Sequence, residues 1–252
     1  MDFTLSKYEE LCKVISHSEY KVMTVRDYLI KIPRRKFIIL RHDVDKNTES
    51  ALKIARIEKK HGLKSTFYFR IRTFKPKVIK KIEKLGHEIG YHYEVLDKTK
   101  GDFEKAIRLF EEELKLFRRF CDVKTICMHG NPLTKWINKD LWKKYDFKEF
   151  GILGEAYSSF DFSEIAYFSD TGRDWSKIGI KINIEQIKSR PTIKSTRDLI
   201  ERIKSENFDN LYIVTHPQRW SNNIVSWVRE LIFQDIKNVG KKILFLVREH
   251  RV

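Results

Sequence analysis

The stretch Phe37-Ile-Ile-Leu-Arg-His-Asp-Val-Asp45 passes from four apolar residues straight into two carboxylates set two positions apart. Read as a buried strand, its period of two places Asp43 and Asp45 on the same side, at the strand's carboxyl end. Open α/β sheets and α/β barrels carry their chemistry at that end. Fold class and candidate site therefore both start from this segment.

Outward from it, strand and helix patterns alternate. Residues 47–61 set Ala51, Leu52, Ile54, Ala55 and Ile57 on one apolar stripe before His61-Gly62, which predicts a helix. Residues 65–69 read as a strand, 76–85 as a helix with Pro76 in its first turn, and 86–92 as a short strand turning into a loop. The longest predicted helix covers 102–120, with Phe103, Ile107, Phe110, Leu114 and Phe117 at steps of three and four. A strand follows at 123–128, a helix at 136–145, and short strands with aromatic loops at 151–171. Ser195 or Thr196 can cap a helix running to Glu206, 211–215 is a buried strand, 224–239 the last long helix and 242–247 the final strand. Helices at 6–18 and 24–31 make residues 1–34 a helical lead-in. This rhythm predicts parallel strands with crossover helices in a single domain over residues 1–252.

A chain of 252 residues suits one large α/β domain or barrel. Mean hydropathy is −0.49, and no apolar stretch is long enough to span a bilayer. The first ten residues carry acids and lack the basic and apolar segments of a secretory signal, which predicts a cytoplasmic location. Cys12, Cys121 and Cys127 form no C-x-x-C pair and read as reduced packing residues. The net charge of +16 is spread over nearly every predicted helix with acids among the lysines, so no nucleic-acid partner is expected. That charge does admit peripheral association with an anionic membrane face.

The polar residues of interest fall where strands end: Asp43 and Asp45, His92, His129 and His216. Four strand ends meeting on one rim offer a metal site together with an acid–base pair, and borderline or hard divalent ions accept such mixed carboxylate and imidazole sets. D-x-D after an apolar strand also serves aspartyl-phosphate phosphatases, one residue as nucleophile and the other as acid, and glycosyltransferases that hold a nucleotide-sugar metal. Such phosphatases need a second acidic pair near a late strand, whereas 211–215 ends in His216-Pro217.

Arg41-His-Asp-Val-Asp45, Gly86-His-Glu-Ile-Gly-Tyr-His92, Met128-His-Gly-Asn-Pro132, Ser169-Asp-Thr-Gly-Arg-Asp-Trp175 and Thr215-His-Pro217 resemble, in order, the motifs of the polysaccharide deacetylase superfamily, the NodB-like carbohydrate esterases. The likeness is greatest to a subgroup associated with surface-polysaccharide and O-antigen synthesis. The resemblance implies a distorted (β/α) barrel, one divalent metal ion, usually zinc, and hydrolysis of an N-acetyl or related amide on a sugar or polysaccharide precursor.

It also implies roles, position by position. Asp43 matches the general base, Asp45 and His92 match metal ligands, and His216 matches the late-strand general acid. Asp170 and Trp175 match residues that orient polar groups and line the substrate groove, and Arg41 is assigned to substrate binding with them. The second histidine of the family's H-x-x-x-H pair is absent, because Leu96 stands there. With Asp45 and His92 alone the site would lack the three protein ligands of a catalytic zinc. His129 is the expected third ligand, Glu94 its local competitor. His42 and His87 alternate away from the site and read as structural; His17, His61 and His250 receive no role, and Arg173 could contact an anionic substrate. The missing histidine leaves a second reading open, a non-catalytic barrel that binds glycan.

Overall fold

A computed structural model describes residues 1–31, 33, 36–176, 192–225 and 227–232. In chain order the elements are α1 (Leu5–Ser16), β1 (Lys21–Met23), α2 (Val25–Ile30), β2 (Phe37–Val44), α3 (Thr48–Lys60), β3 (Thr66–Phe69), α4 (Pro76–Lys84), β4 (Glu88–Tyr93), α5 (Val95–Lys98) and α6 (Phe103–Arg118). These are followed by β5 (Thr125–Met128), β6 (Gly154–Glu155), β7 (Ala166–Ser169), α7 (Thr196–Lys204) and β8 (Asn210–Thr215).

Among the described residues every pairing is parallel, in the order β6-β5-β4-β3-β2-β8-β7. β2 is central, and all eight of its residues are buried. That is the burial expected of a parallel strand covered on both faces, and it explains the unbroken apolar run at 37–40. Along one edge β2 pairs with β8 over residues 37–42; along the other, β1 takes 37–39 and β3 takes 41–44. The lead-in therefore contributes a strand to the sheet, a correction to the purely helical segment expected at 1–34. Three residues are too few to show alternation, and only the pairing with β2 defines them.

The sheet curls into an incomplete barrel. β6 and β7 are not paired, yet Tyr212 of β8 donates from its hydroxyl to the Ala156 carbonyl just past β6, 3.2 Å away. The Tyr157 and Tyr167 rings approach to 6.5 Å across the same gap. Side-chain parity divides the core accordingly. Ile38, Leu40 and Val44 pack outward with Phe67, Phe69, Ile89 and the helices, while Phe37, Ile39, Tyr68, Cys127, Tyr167 and Tyr212 fill the interior. Gly90 shows how tight that interior is: a Cβ there would lie 2.3 Å from a Tyr68 ring carbon, so the second glycine of Gly-His-Glu-Ile-Gly makes room for the ring.

The helices follow their local signals. Asp102 caps α6 by accepting from the Lys105 amide, and Ala106, Phe110, Leu114 and Phe117 are its buried face. Ser195 caps α7 in the same manner. The segment expected to be helical at 136–145 is a 3-10 helix, Asn138–Lys143. Of the expected last helix, residues 224, 225 and 227–232 are helical, and the rest lies outside the described residues, as does the strand expected at 242–247. Among the described residues no helix is long and apolar enough to cross a membrane.

Candidate functional site

The inward parity of the strands carries a polar set to one end of the barrel. From β2 come Arg41, Asp43 and, one residue past its end, Asp45; from β4 come His92 and then Glu94; from β5 come Cys127 and then His129; after β8 comes His216. Asp43 and His92 form a covered floor, 3% and 2% exposed. Asp45 and His129 keep 19% and 16% of their side chains open and form the mouth.

Asp45 is the meeting point. Its Oδ1 lies 3.5 Å from His92 Nε2 and 3.4 Å from His129 Nε2, and its Oδ2 lies 3.9 Å from His216 Nε2. That Oδ1 is buried and accepts no hydrogen bond. Burial alone would disfavour its charge, but the attraction of His129, His92 and His216 holds the carboxyl well below the usual range. His92 Nδ1 is 2.9 Å from the Cys127 carbonyl and must donate to it, so in the neutral ring the lone pair is on Nε2, facing Asp45. His129 is pushed down to about 4, chiefly by burial, and is a neutral imidazole near pH 7. Its Nδ1 has no hydrogen-bond partner and points toward Glu94 Oε2, 3.6 Å away.

This donor set fits a divalent ion. Ligand atoms around a tetrahedral zinc with bonds of about 2.0–2.1 Å stand roughly 3.3–3.4 Å apart; Asp45 Oδ1 lies at about that spacing from each imidazole, 3.5 and 3.4 Å, while the three donors as a set are more open than the 4.8 Å mutual spacing kept by Asp43, His92 and Cys127. Glu94 is not in the set. Arg70 binds both of its oxygens, and it faces the far nitrogen of His129, as outer carboxylates do behind metal-bound histidines. Leu96 is 1% exposed and packed among the outer core residues, away from the mouth. Among the described residues, Asp43, His92 and Cys127 are the grouping whose ligand atoms all lie within 4.8 Å of one another. It suits a cation less well, because the Arg41 guanidinium lies in it.

Arg41 is fully buried. Its Nε and Nη2 donate to Asp43 Oδ1 and Oδ2 at 2.8 and 2.7 Å, Nη2 touches Cys127 Sγ at 2.6 Å, and the guanidinium lies 4.2 Å from the Tyr157 ring centroid. The assignment of Arg41 to direct substrate contact is therefore corrected: its charge is spent beneath Asp43. Burial opposes ionisation of Asp43, but Arg41 and then His92 outweigh it, and its carboxyl stays below the usual range. Cys127, expected only to pack, is part of this polar floor.

His216 is held from the opposite side. Asp170 Oδ1 is 2.6 Å from His216 Nδ1 and accepts from Arg219 Nη1 at 2.7 Å; Oδ2 accepts from the His216 amide at 2.9 Å and from the Trp220 indole at 2.8 Å. Arg219 Nη1 also lies 2.6 Å from His216 Nδ1, but both nitrogens are donors directed at the shared carboxylate. Asp170 is fully buried and Trp175 equally so, which corrects their assignment to the substrate groove. Asp170 orients His216, with its Nε2 toward Asp45. Trp175 is core: its ring stacks 6.2 Å from Phe3, its indole donates to Thr196 Oγ1 at 3.0 Å, and Trp220 lies 6.2 Å away. Arg219 and Trp220 were not singled out by sequence; the proline in His216-Pro217, which opens the 3-10 turn Pro217–Arg219, is the signal that could have found them.

His42 and His87 sit on the outer face as their parity requires. His42 bridges Glu58 and Thr215 at 2.8 and 2.7 Å, and His87 reaches the Ala55 carbonyl at 3.0 Å.

No protein-family profile matches the chain, and no curated protein matches it. Solved structures do. BA3943, described as a CE4 family pseudoenzyme from Bacillus anthracis, is 17% identical over 82% of this chain, with a TM-score of 0.41. The chain spans 63% of that protein. A mutant of it described as having restored enzymatic activity is 16% identical over 75% of this chain and 70% of its own, with a TM-score of 0.37. A mutant of the peptidoglycan deacetylase PdaC from Bacillus subtilis is 14% identical over 85% of this chain and 98% of its own, with a TM-score of 0.38.

Proposed function

We propose that the chain is a hydrolase dependent on one divalent ion, zinc by its donor set, that removes an N-acetyl or related acyl group from the nitrogen of a sugar or glycan precursor. The observation that carries this reading is the position of Asp45: two imidazole Nε2 atoms face one of its oxygens, and the buttressed His216 faces the other. Asp45, His92 and His129 would hold the divalent ion, which when bound would supply Lewis acidity toward the acyl carbonyl and lower the pKa of a water. Asp43, ionised on the floor, retains lone pairs beside those taken by Arg41 and accepts the proton of the attacking water. His216 gives its Nε2 proton to the departing amine, its other nitrogen anchored on Asp170.

The ordered motifs also support a place in surface-polysaccharide synthesis, and the three free, buried cysteines suit a reducing, cytoplasmic setting, where the positive charge allows contact with an anionic membrane face. One observation favours a second reading, a non-catalytic glycan-binding barrel: Arg41 engages both oxygens of Asp43. The same pairing counts against Asp43 as the nucleophile of a phosphatase.

The test is acetate release from acetamido sugars and glycans with zinc, with cobalt and after chelation. Metal-dependent release that is lost in Asp45→Ala is expected. A metal-free protein that still binds glycan, with no release under any condition, would establish the second reading instead.

A further inference from the structure

His129 stands at the mouth because its backbone is clamped on both sides. Its amide donates to the Tyr93 carbonyl at 2.8 Å, which ties it to the residue after His92. Its carbonyl accepts from Asn138 Nδ2 at 2.9 Å. Asn138 is fully buried, and both ends of its amide are hydrogen-bonded. Nδ2 donates a second time, to Asp97 Oδ2 at 2.9 Å, and Oδ1 accepts from the Asp97 amide at 3.2 Å. The orientation of the amide follows from its partners, since a carbonyl and a carboxylate can only accept. The other Asp97 oxygen accepts from Thr134 Oγ1 at 2.5 Å, inside the loop that leaves His129. That loop is thus fastened to α5 in its middle and at its far end.

We propose that Asn138, acting with Asp97, is a positioning residue that presets His129 for metal binding. Where the resemblance places a ligand on α5, at position 96, this chain has Leu96 in the core and beside it an aspartate that braces the loop supplying the replacement ligand. A buried asparagine stripped of these partners would leave two donors and an acceptor without water, so the brace is specific in geometry. The inference rests on the reading of His129 as a ligand. Partners behind metal-bound histidines typically change metal affinity by about 10- to 100-fold when removed.

The experiment titrates chelator-stripped protein with zinc against a competing chelator and records the absorption spectrum with cobalt. Apo-protein melting is followed in parallel. Asn138→Ala and Asp97→Asn are expected to weaken zinc binding by about 10- to 100-fold and to alter the cobalt spectrum. Thr134→Val is expected to weaken it about fivefold, and Thr134→Ser, which keeps the hydroxyl, to match the parent. The Thr134 pair, at a half-buried position, decides the matter if Asn138→Ala fails to fold. Parent-like affinity and spectrum in Asp97→Asn and Thr134→Val, with binding lost in His129→Ala, would overturn the brace and leave the metal reading standing. Parent-like binding in His129→Ala, or none in the parent, would overturn both.

Discussion

Glu58 lies on the outer side of β2, directly behind the site, and is fully buried. Its Oε1 accepts from Tyr8 Oη at 2.7 Å and lies 2.8 Å from His42 Nε2; its Oε2 accepts from Ser65 Oγ at 2.6 Å and lies 3.6 Å from His87 Nδ1. One carboxylate therefore ties α1, α3, β2 and the starts of β3 and β4 together. Burial opposes its charge, but His42, by attraction and by hydrogen bond, and then His87 and Ser65 bring it from 4.5 to about 2. A depressed folded-state value means stability that is fully present above the unfolded value and is lost as pH falls from about 4.5 through about 2. At 1.36 kcal/mol for each pH unit of difference, the contribution is about 3 kcal/mol. Glu58→Gln keeps the shape and removes the charge. Urea unfolding of parent and variant, followed by tryptophan fluorescence between pH 7 and pH 2, should give a difference of about 3 kcal/mol near neutrality that shrinks toward zero at the acid end. A variant within about 1 kcal/mol of the parent at pH 7, or a difference that does not fall with pH, would refute the reasoning.

Arg41→Met leaves Asp43 buried without its partner, and a loss of about 3–5 kcal/mol in urea unfolding is expected, with Arg41→Lys less damaging because charge remains while the fork is lost; a parent-like Met variant would contradict the pairing. Trp175→Ala should cost about 3–5 kcal/mol by thermal or chaotropic unfolding and leave zinc affinity unchanged, whereas full stability with altered glycan binding would return Trp175 to a groove. Asp170→Asn is expected to slow acetate release by on the order of 10²-fold with zinc affinity intact; an undiminished rate would remove His216 from the proton transfer.

Much of this was legible locally, and the reason is parity. An apolar run at 37–40 and a period of two are enough to place Asp43 and Asp45 together and to send His42 and His87 to the other face. The same rule puts His92 inside while Ile89, Tyr91 and Tyr93 pack outward. Where a segment was too short to show alternation the reading failed, as with the three residues of β1. Roles that depend on a partner also failed. Arg41 reads as an available cation until Asp43, Cys127 and Tyr157 are seen around it, and Trp175 reads as a groove residue until Phe3 and Trp220 are packed on it.

The amino-acid sequence by itself determined the alternating elements, the central strand and the strand ends from which polar side chains point inward, because these follow from hydrogen-bond geometry within a few residues. Only the tertiary structure decided which of those side chains meet. His129 was the expected partner of Asp45 and His92, with Glu94 its local competitor. Arg70, from β3's end, draws the carboxylate away, and Asn138 with the β4–β5 pairing brings the imidazole to 3.4 Å. Such choices are made by contacts between residues far apart in the chain, whose energies exist only once the barrel has closed.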